Sequence, residues 1–210
     1  AVANLRPTLE AYFDMNSVSP GTKRHEAKVL EHAGIAYVDT AVMAPIHPRL
    51  HRTPVLLAGP KAEALERVLG QWGMDTRVVG DEVGRASSIK MLRSVMIKGL
   101  EALTAEMGLA AERAGVTTEV IDSLNASFPS VDWGAWTSYN LERMATHGVR
   151  RAEEMEEVVK TLADLGIEPD LTEGTVRRQR RFGESDVVLD SGSPDLQERS
   201  RIILSTMKII

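Results

Sequence analysis

The 210-residue sequence contains no cysteine, which removes disulfide frameworks, thiolate catalysis and cysteine-ligated zinc from the ways the chain can hold together or work. No apolar run approaches the length that crosses a bilayer, so no membrane role is expected. Signature motifs are missing too. Neither GxGxxG nor GxxxxGKS/T occurs, and HExxH and GxSxG are absent, so these residues do not supply the usual cradle for a dinucleotide pyrophosphate. Positive charge is in deficit: 25 Lys and Arg face 30 Asp and Glu, for a formal net charge of −5. Phosphate contacts along a nucleic acid demand clustered positive charge, so no nucleic-acid partner is expected. His47 and His51 have ligand-like spacing, but Pro48 opposes the helix that would bring them together, and no metal is expected. The lack of cysteine fits a reducing compartment, and the opening residues lack a charged-then-apolar leader, so the expected location is the cytoplasm.

What is present is ordinary for a globular protein, with 43% hydrophobic and 26% charged residues. Residues 10–15 read as a strand followed by turn formers at 16–21, residues 22–34 as a short helix, and the β-branched run 35–44 as a second strand, together a βαβ unit. A strand at 53–59, a helix at 61–70 and a strand at 76–79 come next. From residue 82 to 115 there is no proline, and Ile89, Leu92, Met96, Leu100, Leu103, Met107 and Ala110 recur at three- and four-residue steps, the pattern of one long helix. Everything beyond it reads helical: Thr117 is a candidate cap, Ala152, Met155, Val158, Leu162 and Leu165 share a face, and Ser193-Pro194-Asp195 opens a last helix carrying Leu196, Ile203, Met207 and Ile210. Residues 185–195 read as a linker with room for a short edge strand. The expected fold is an α/β N-terminal part followed by an all-α C-terminal domain joined by the long helix. Its divisions are residues 1–80, residues 81–184 with the interdomain helix 82–115, and a tail of 185–210.

The informative stretch for chemistry runs from Gly80 to Ser94. A glycine turn feeds the long helix, and Lys90 shares a helical face with the small residues Ala86 and Ser87. An ammonium in such a cleft, partly removed from water, suits proton transfer; the same spacing also describes a solvated surface lysine. Trp133, Trp136 and Tyr139 form either an aromatic wall or core packing. The cluster Arg177, Arg178, Arg180 and Arg181 reads as a solvated helix end, and Asp39 as a structural carboxylate closing a strand.

Three separated motifs bear a likeness to the β-hydroxyacid dehydrogenase superfamily, which includes 3-hydroxyisobutyrate and 6-phosphogluconate dehydrogenases. FDMNSVSP at 13–20 resembles the family's D-x-S-x-x-S-P loop, VDTAVMAP at 38–45 its D-A-P-V-S-G-G substrate loop, and GRASSIKMLRS at 84–94 its G-x-G-x-x-x-K-x-x-x-N motif. The C-terminal half, with SFPSVDW, YNLERM and HGVRRAEEM, resembles a branch that carries a domain of unknown function. The resemblance implies a Rossmann-like sheet remnant and an NAD(P)-dependent oxidoreductase using NAD or NADP on a small-molecule hydroxyacid or related alcohol. It implies Lys90 as general acid/base with Ser94 holding the substrate hydroxyl. Met43, Ala44, Pro45 and Ser87 would line the substrate site, and Asn16, Ser17, Gly84 and Arg151 would face the cofactor. Met43, Ala44 and Pro45 stand where the family has Ser-Gly-Gly, and Ser94 replaces an asparagine, so the implied substrate is not a plain 3-hydroxycarboxylate. The family's GxGxxG portion is expected to be absent from this chain. The family's helical domain interlocks two subunits, which implies a homodimer, and leaves as an alternative a non-catalytic dimerisation module or inactive fragment.

Overall fold

The computed structural model describes residues 10–190 and 195–208 and divides into two compact units. The first runs through Ser94 and includes Glu157–Glu168; the second comprises Val95–Glu156 and the residues from Pro169 onward. As expected, an α/β part precedes a helical one.

In the first unit β1 (Ala11–Asp14), β2 (Ala36–Val42), β3 (Val55–Ala58) and β4 (Thr76–Gly80) form one sheet in that order, with α1 (Pro20–Glu31) and α2 (Ala62–Gln71) between strands. The parallel β1–β2 pair is the expected βαβ unit. β2 and β3 instead pair antiparallel. The proline-interrupted connection between them holds only a three-residue 3-10 turn, too little for the crossover a parallel neighbour needs. All four β3 residues are buried, as the continuous apolar run VLLA requires of a strand covered on both faces. Val38, Val55, Leu57 and Leu69 pack in one cluster, and Ala41, Leu56, Ala58 and Ala86 in another.

Helix α1 begins at Pro20, ahead of the expected Thr22, because Ser19 caps it: the hydroxyl accepts the Thr22 N–H at 3.2 Å, and proline in the first turn needs no donor. The long helix α3 (Arg85–Ala114) has 30 residues, but its apolar series faces outward. Ile89, Leu92, Met96 and Leu103 are exposed, while Ala86, Ser87, Met91, Ser94, Glu101, Thr104, Ala105 and Leu109 are buried. Small residues let neighbouring backbones approach, and the buried polar groups find partners: Asn140 donates to Thr104 at 2.9 Å and Gln179 to Glu101 at 2.8 Å.

The second unit contains the rest of α3, α4 (Thr117–Ser127), most of the 32-residue α5 (Trp133–Asp164), α6 (Asp170–Gly183) and α7 (Leu196–Thr206) around Leu109, Leu141, Met144, Phe182, Leu196 and Ile203. Thr117 is not the cap of α4 but its first residue, its hydroxyl 2.9 Å from Glu112. On α5, Ala152, Met155, Val158 and Leu162 are buried as the pattern predicts, whereas Leu165 lies past the helix end and is exposed. Asp195 caps α7 by accepting the N–H groups of Gln197 and Glu198. Residues 185–190 form no strand; Val187 and Leu189 pack on the helical core. The remainder of the expected linker, 191–194, and Ile210 lie outside the described residues. No helix among the described residues is long and apolar enough to cross a membrane.

α5 and α6 touch backbone to backbone. A Cβ on Gly148 would lie 2.6 Å from Gly183 N and would also overlap the carbonyl of Gln179. Because neither partner is a flexible side chain, Gly148→Ala should destabilise the protein by about 3 kcal/mol, the upper part of the overpacking range, as read by urea unfolding.

Candidate active site

The β1–α1 loop is built from local hydrogen bonds. Asn16 donates its backbone and side-chain N–H groups to Asp14 Oδ1 at 3.1 and 2.6 Å, and Ser19 N–H donates to Glu157 Oε2 at 2.7 Å. Within the loop Ser17 presents its hydroxyl to Lys90, whose Nζ lies 2.5 Å from Ser17 Oγ across 73 positions of sequence. Two residues singled out from separate motifs therefore meet, one at the carboxyl end of a parallel strand and one near the start of α3.

Asp39 sets the start of α3. It lies inside β2 rather than at the strand's end, and it does not cap the next turn. Its buried Oδ2 accepts Gly84 N–H at 3.0 Å, Ser87 N–H at 3.0 Å and the Ser87 hydroxyl at 3.1 Å. A carboxylate against these first N–H groups satisfies donors that have no intrahelical partner and complements the helix dipole. Gly84 adopts φ +101°, and a Cβ there would lie 2.7 Å from the Arg24 guanidinium, so the turn into α3 requires glycine.

Beneath both elements sits Lys23, fully buried on α1. Its Nζ donates to Asp14 Oδ2 at 2.6 Å and to the Asp14 carbonyl at 2.8 Å, and lies 3.9 Å from Asp39 Oδ1. Tyr37 adds its hydroxyl to Asp14 Oδ2 at 2.6 Å and to Glu26 at 2.9 Å. Burial raises the pKa of Asp14, but the hydrogen bonds from Lys23, Tyr37 and Asn16 and the charge of Lys23 outweigh it and hold the carboxyl below its ordinary value. Burial, then the carboxylates of Asp14 and Glu26, push Tyr37 upward. Glu157 is also held low: burial opposes ionisation, but Lys160 and the Ser19 N–H favour it more.

The other predicted residues are distributed unevenly. Ser87 and Gly84 belong to the Asp39 cap, and Ser94 donates to the Lys90 carbonyl at 2.9 Å. The Met43 side chain packs against the Ala41, Leu56, Ala58 and Ala86 cluster, while Pro45 and Asn16 are exposed and Ala44 half-buried. Arg151 lies in the second unit, buried in an ion pair with Glu101. There too Trp133 packs against Trp136 and Phe128 at 5.3 and 5.8 Å, and Arg143 lies over the exposed Tyr139 ring. Of the arginine cluster on α6, Arg177, Arg178 and Arg180 are engaged with Glu173, Glu106 and Glu156 respectively. No group of three or more metal-ligating side chains occurs among the described residues.

Reading the residues singly missed Lys23 and Asp14. The signal was present: Lys23 occupies the same face of α1 as Ala27 and Leu30, both buried, so a lysine on a core face called for buried carboxylates nearby.

Residues 111–182 match the family "Domain of unknown function (DUF1932)". A conserved hypothetical protein from Sinorhizobium meliloti 1021 has 34% identity and a TM-score of 0.80, covering 97% of this chain and 70% of that one. The conserved protein MTH1747, of unknown function and itself reported as structurally similar to 3-hydroxyacid dehydrogenases, has 32% identity and a TM-score of 0.71 over 82% of this chain and 65% of that one. The same fold occurs in 3-hydroxyisobutyrate dehydrogenase from Salmonella typhimurium, with 16% identity and a TM-score of 0.65 over 100% of this chain and 73% of that one. A 28.5 kDa protein of Methanothermus fervidus, from a 7S RNA 5′ region, is 29% identical over 161 residues, 75% of this chain. This chain spans 60% of that relative's length.

Asp14→Asn leaves Lys23 facing only the more distant Asp39 carboxylate and should cost about 3 kcal/mol at neutral pH, the scale of breaking a buried pair. The folded pKa of Asp14 lies below its ordinary 3.8, so its contribution is present above that value and lost as pH falls through the folded pKa. Denaturation measured at pH 7 and near pH 3 should therefore show a smaller acid loss in the variant than in the parent.

Proposed function

The chain belongs to the β-hydroxyacid dehydrogenase superfamily, in the branch that carries a DUF1932 domain, and on that footing we propose that it supplies the acid/base part of an NAD(P)-dependent oxidoreductase acting on a hydroxyacid or related alcohol. The observation that carries this reading is the convergence of Lys90 and Ser17 at 2.5 Å. A cofactor's nicotinamide end fits the donor set at this edge: the Asn16 amide and Ser17 hydroxyl, beside the carboxyl end of β1, are groups that hydrogen-bond a ribose or carboxamide. No GxGxxG run occurs in the sequence to hold a pyrophosphate.

When bound, the nicotinamide exchanges a hydride with the substrate carbon. The residues of this chain manage the proton. Lys90 in its neutral form takes the hydroxyl proton as the carbonyl forms, and as the ammonium returns it in the reverse direction. Ser17 holds the lysine amine at a fixed point of the loop, and the Asp39 cap holds the helix start from which it projects. Ser94, one turn on, donates to the Lys90 carbonyl and so braces the turn from which the lysine projects. Met43 to Pro45 offer no side-chain hydroxyl for a substrate carboxylate, so the substrate end facing them is less polar than in 3-hydroxyisobutyrate. The exposed Met96 and Leu103 favour a homodimer through the helical unit.

Lys90→Ala in the full-length protein, assayed for NAD(P)H formation over a panel of hydroxyacids and alcohols, should lower kcat by about 100- to 10,000-fold, the usual contribution of a positioned acid/base. NAD(P)H affinity, read by fluorescence, should be nearly unchanged. Retained turnover would overturn the assignment.

A further inference from the structure

The groups that hold Ser17 and Lys90 converge on one side chain that the proposed chemistry does not use. Asp14 ends β1, and its Oδ1 gathers the Asn16 backbone and side chain into the loop that presents Ser17. Asp39 caps the start of α3, the helix that presents Lys90. These carboxylates are register partners on adjacent strands, and both are buried to within 1% of complete. Two like charges side by side in a dry interior repel each other and lose hydration, so both remain ionised only with a compensating cation. Lys23 is that cation: it hydrogen-bonds Asp14 directly and faces Asp39 Oδ1, an atom that accepts no hydrogen bond among the described residues.

We propose that Lys23 is a positioning residue for the Lys90–Ser17 pair, joining through Asp14 and Asp39 the loop that carries the serine to the helix that carries the lysine. The inference rests on the acid/base reading of Lys90 for its functional meaning, but its geometric content stands apart from any turnover. Lys23 is enclosed and touches no reacting group. With it in place, the β1–α1 loop and the α3 cap are referred to the same ammonium, by hydrogen bonds on the Asp14 side and by a 3.9 Å ion pair on the Asp39 side, and the amine and the hydroxyl are held against each other. Without it, one or both carboxylates must turn away, protonate or admit water, and the distance from Lys90 to Ser17 is no longer set.

The test is the acetylation rate of Lys90 by acetic anhydride at fixed pH, measured peptide by peptide by mass spectrometry and divided by the rate of the exposed Lys61 in the same sample. Two variants remove charges of opposite sign. Lys23→Met removes a positive charge, which by electrostatics alone favours the ammonium of Lys90 and slows its acetylation. Asp39→Asn removes a negative charge, which by electrostatics alone speeds it, while the asparagine carbonyl remains able to accept the α3 N–H groups. Loss of positioning frees Lys90 from Ser17 in both, so the relative rate should rise in both, by about fivefold if one hydrogen bond's net contribution is lost. Changes of opposite sign, or no change, would overturn the proposal. If Lys23→Met does not fold, the charge-balanced Lys23→Met/Asp14→Asn double variant replaces it. A rise there supports positioning, and an unchanged rate refutes it. Because labelling needs neither cofactor nor substrate, its outcome is separable from the turnover assay of Lys90→Ala, which tests the catalytic reading alone.

Discussion

A single buried ammonium underlies the organisation of the first unit. Parallel pairing of β1 with β2 sets Asp14 against Asp39, an arrangement that would be strongly unfavourable between two desolvated carboxylates with no cation between them. Lys23 makes it tolerable. One carboxylate is thereby left to gather the loop after β1, and the other to satisfy the first N–H groups of α3. Tyr37 completes the arrangement from β2, bridging Asp14 to Glu26 of α1. Loop shape and helix start both depend on one charge balance.

The second unit buries polar groups by a related logic. Glu101 is matched by Arg151 and Gln179, and Arg199 donates to the backbone carbonyls of Ser138 and Asp190. These partners orient helices whose apolar contacts alone would allow sliding, because a displaced helix would leave a charge without its counterpart. The close approach at Gly148 and Gly183 adds a steric limit on the same helices.

Element order was legible from the sequence because it rests on local periodicity: the βαβ start, the long helix and the buried face of α5 are all set by residue spacing. The antiparallel turn between β2 and β3 was not, since strand direction depends on what a connection can span rather than on the strand residues. The outward stripe on α3 was misleading for a different reason. Its apolar residues repeat as a core face would, yet the buried side carries only Met91 and Leu109 as large apolar groups and is otherwise small or polar, and the burial of Glu101 and Thr104 depends on partners distant in sequence. Motifs singled out Lys90 and Ser17 separately, while their meeting became visible only in the fold. The candidate site was illegible where a lone lysine acquired meaning only through two carboxylates on strands that the fold brings together.

The Asp14–Lys23–Asp39 group also bears on how such a chain can change over generations. Removing Lys23 or Asp14 alone leaves an uncompensated charge, whereas replacing the whole group with well-packed neutral side chains can leave stability intact or even raise it. A path of single substitutions must at some step remove Lys23 or Asp14 from the other, and that step passes through a destabilised intermediate. A lineage that has acquired the Lys23–Asp14 pair is therefore held to it by the terrain between alternatives, independently of any benefit the pair confers on chemistry. Positions 14 and 23 should drift together or not at all.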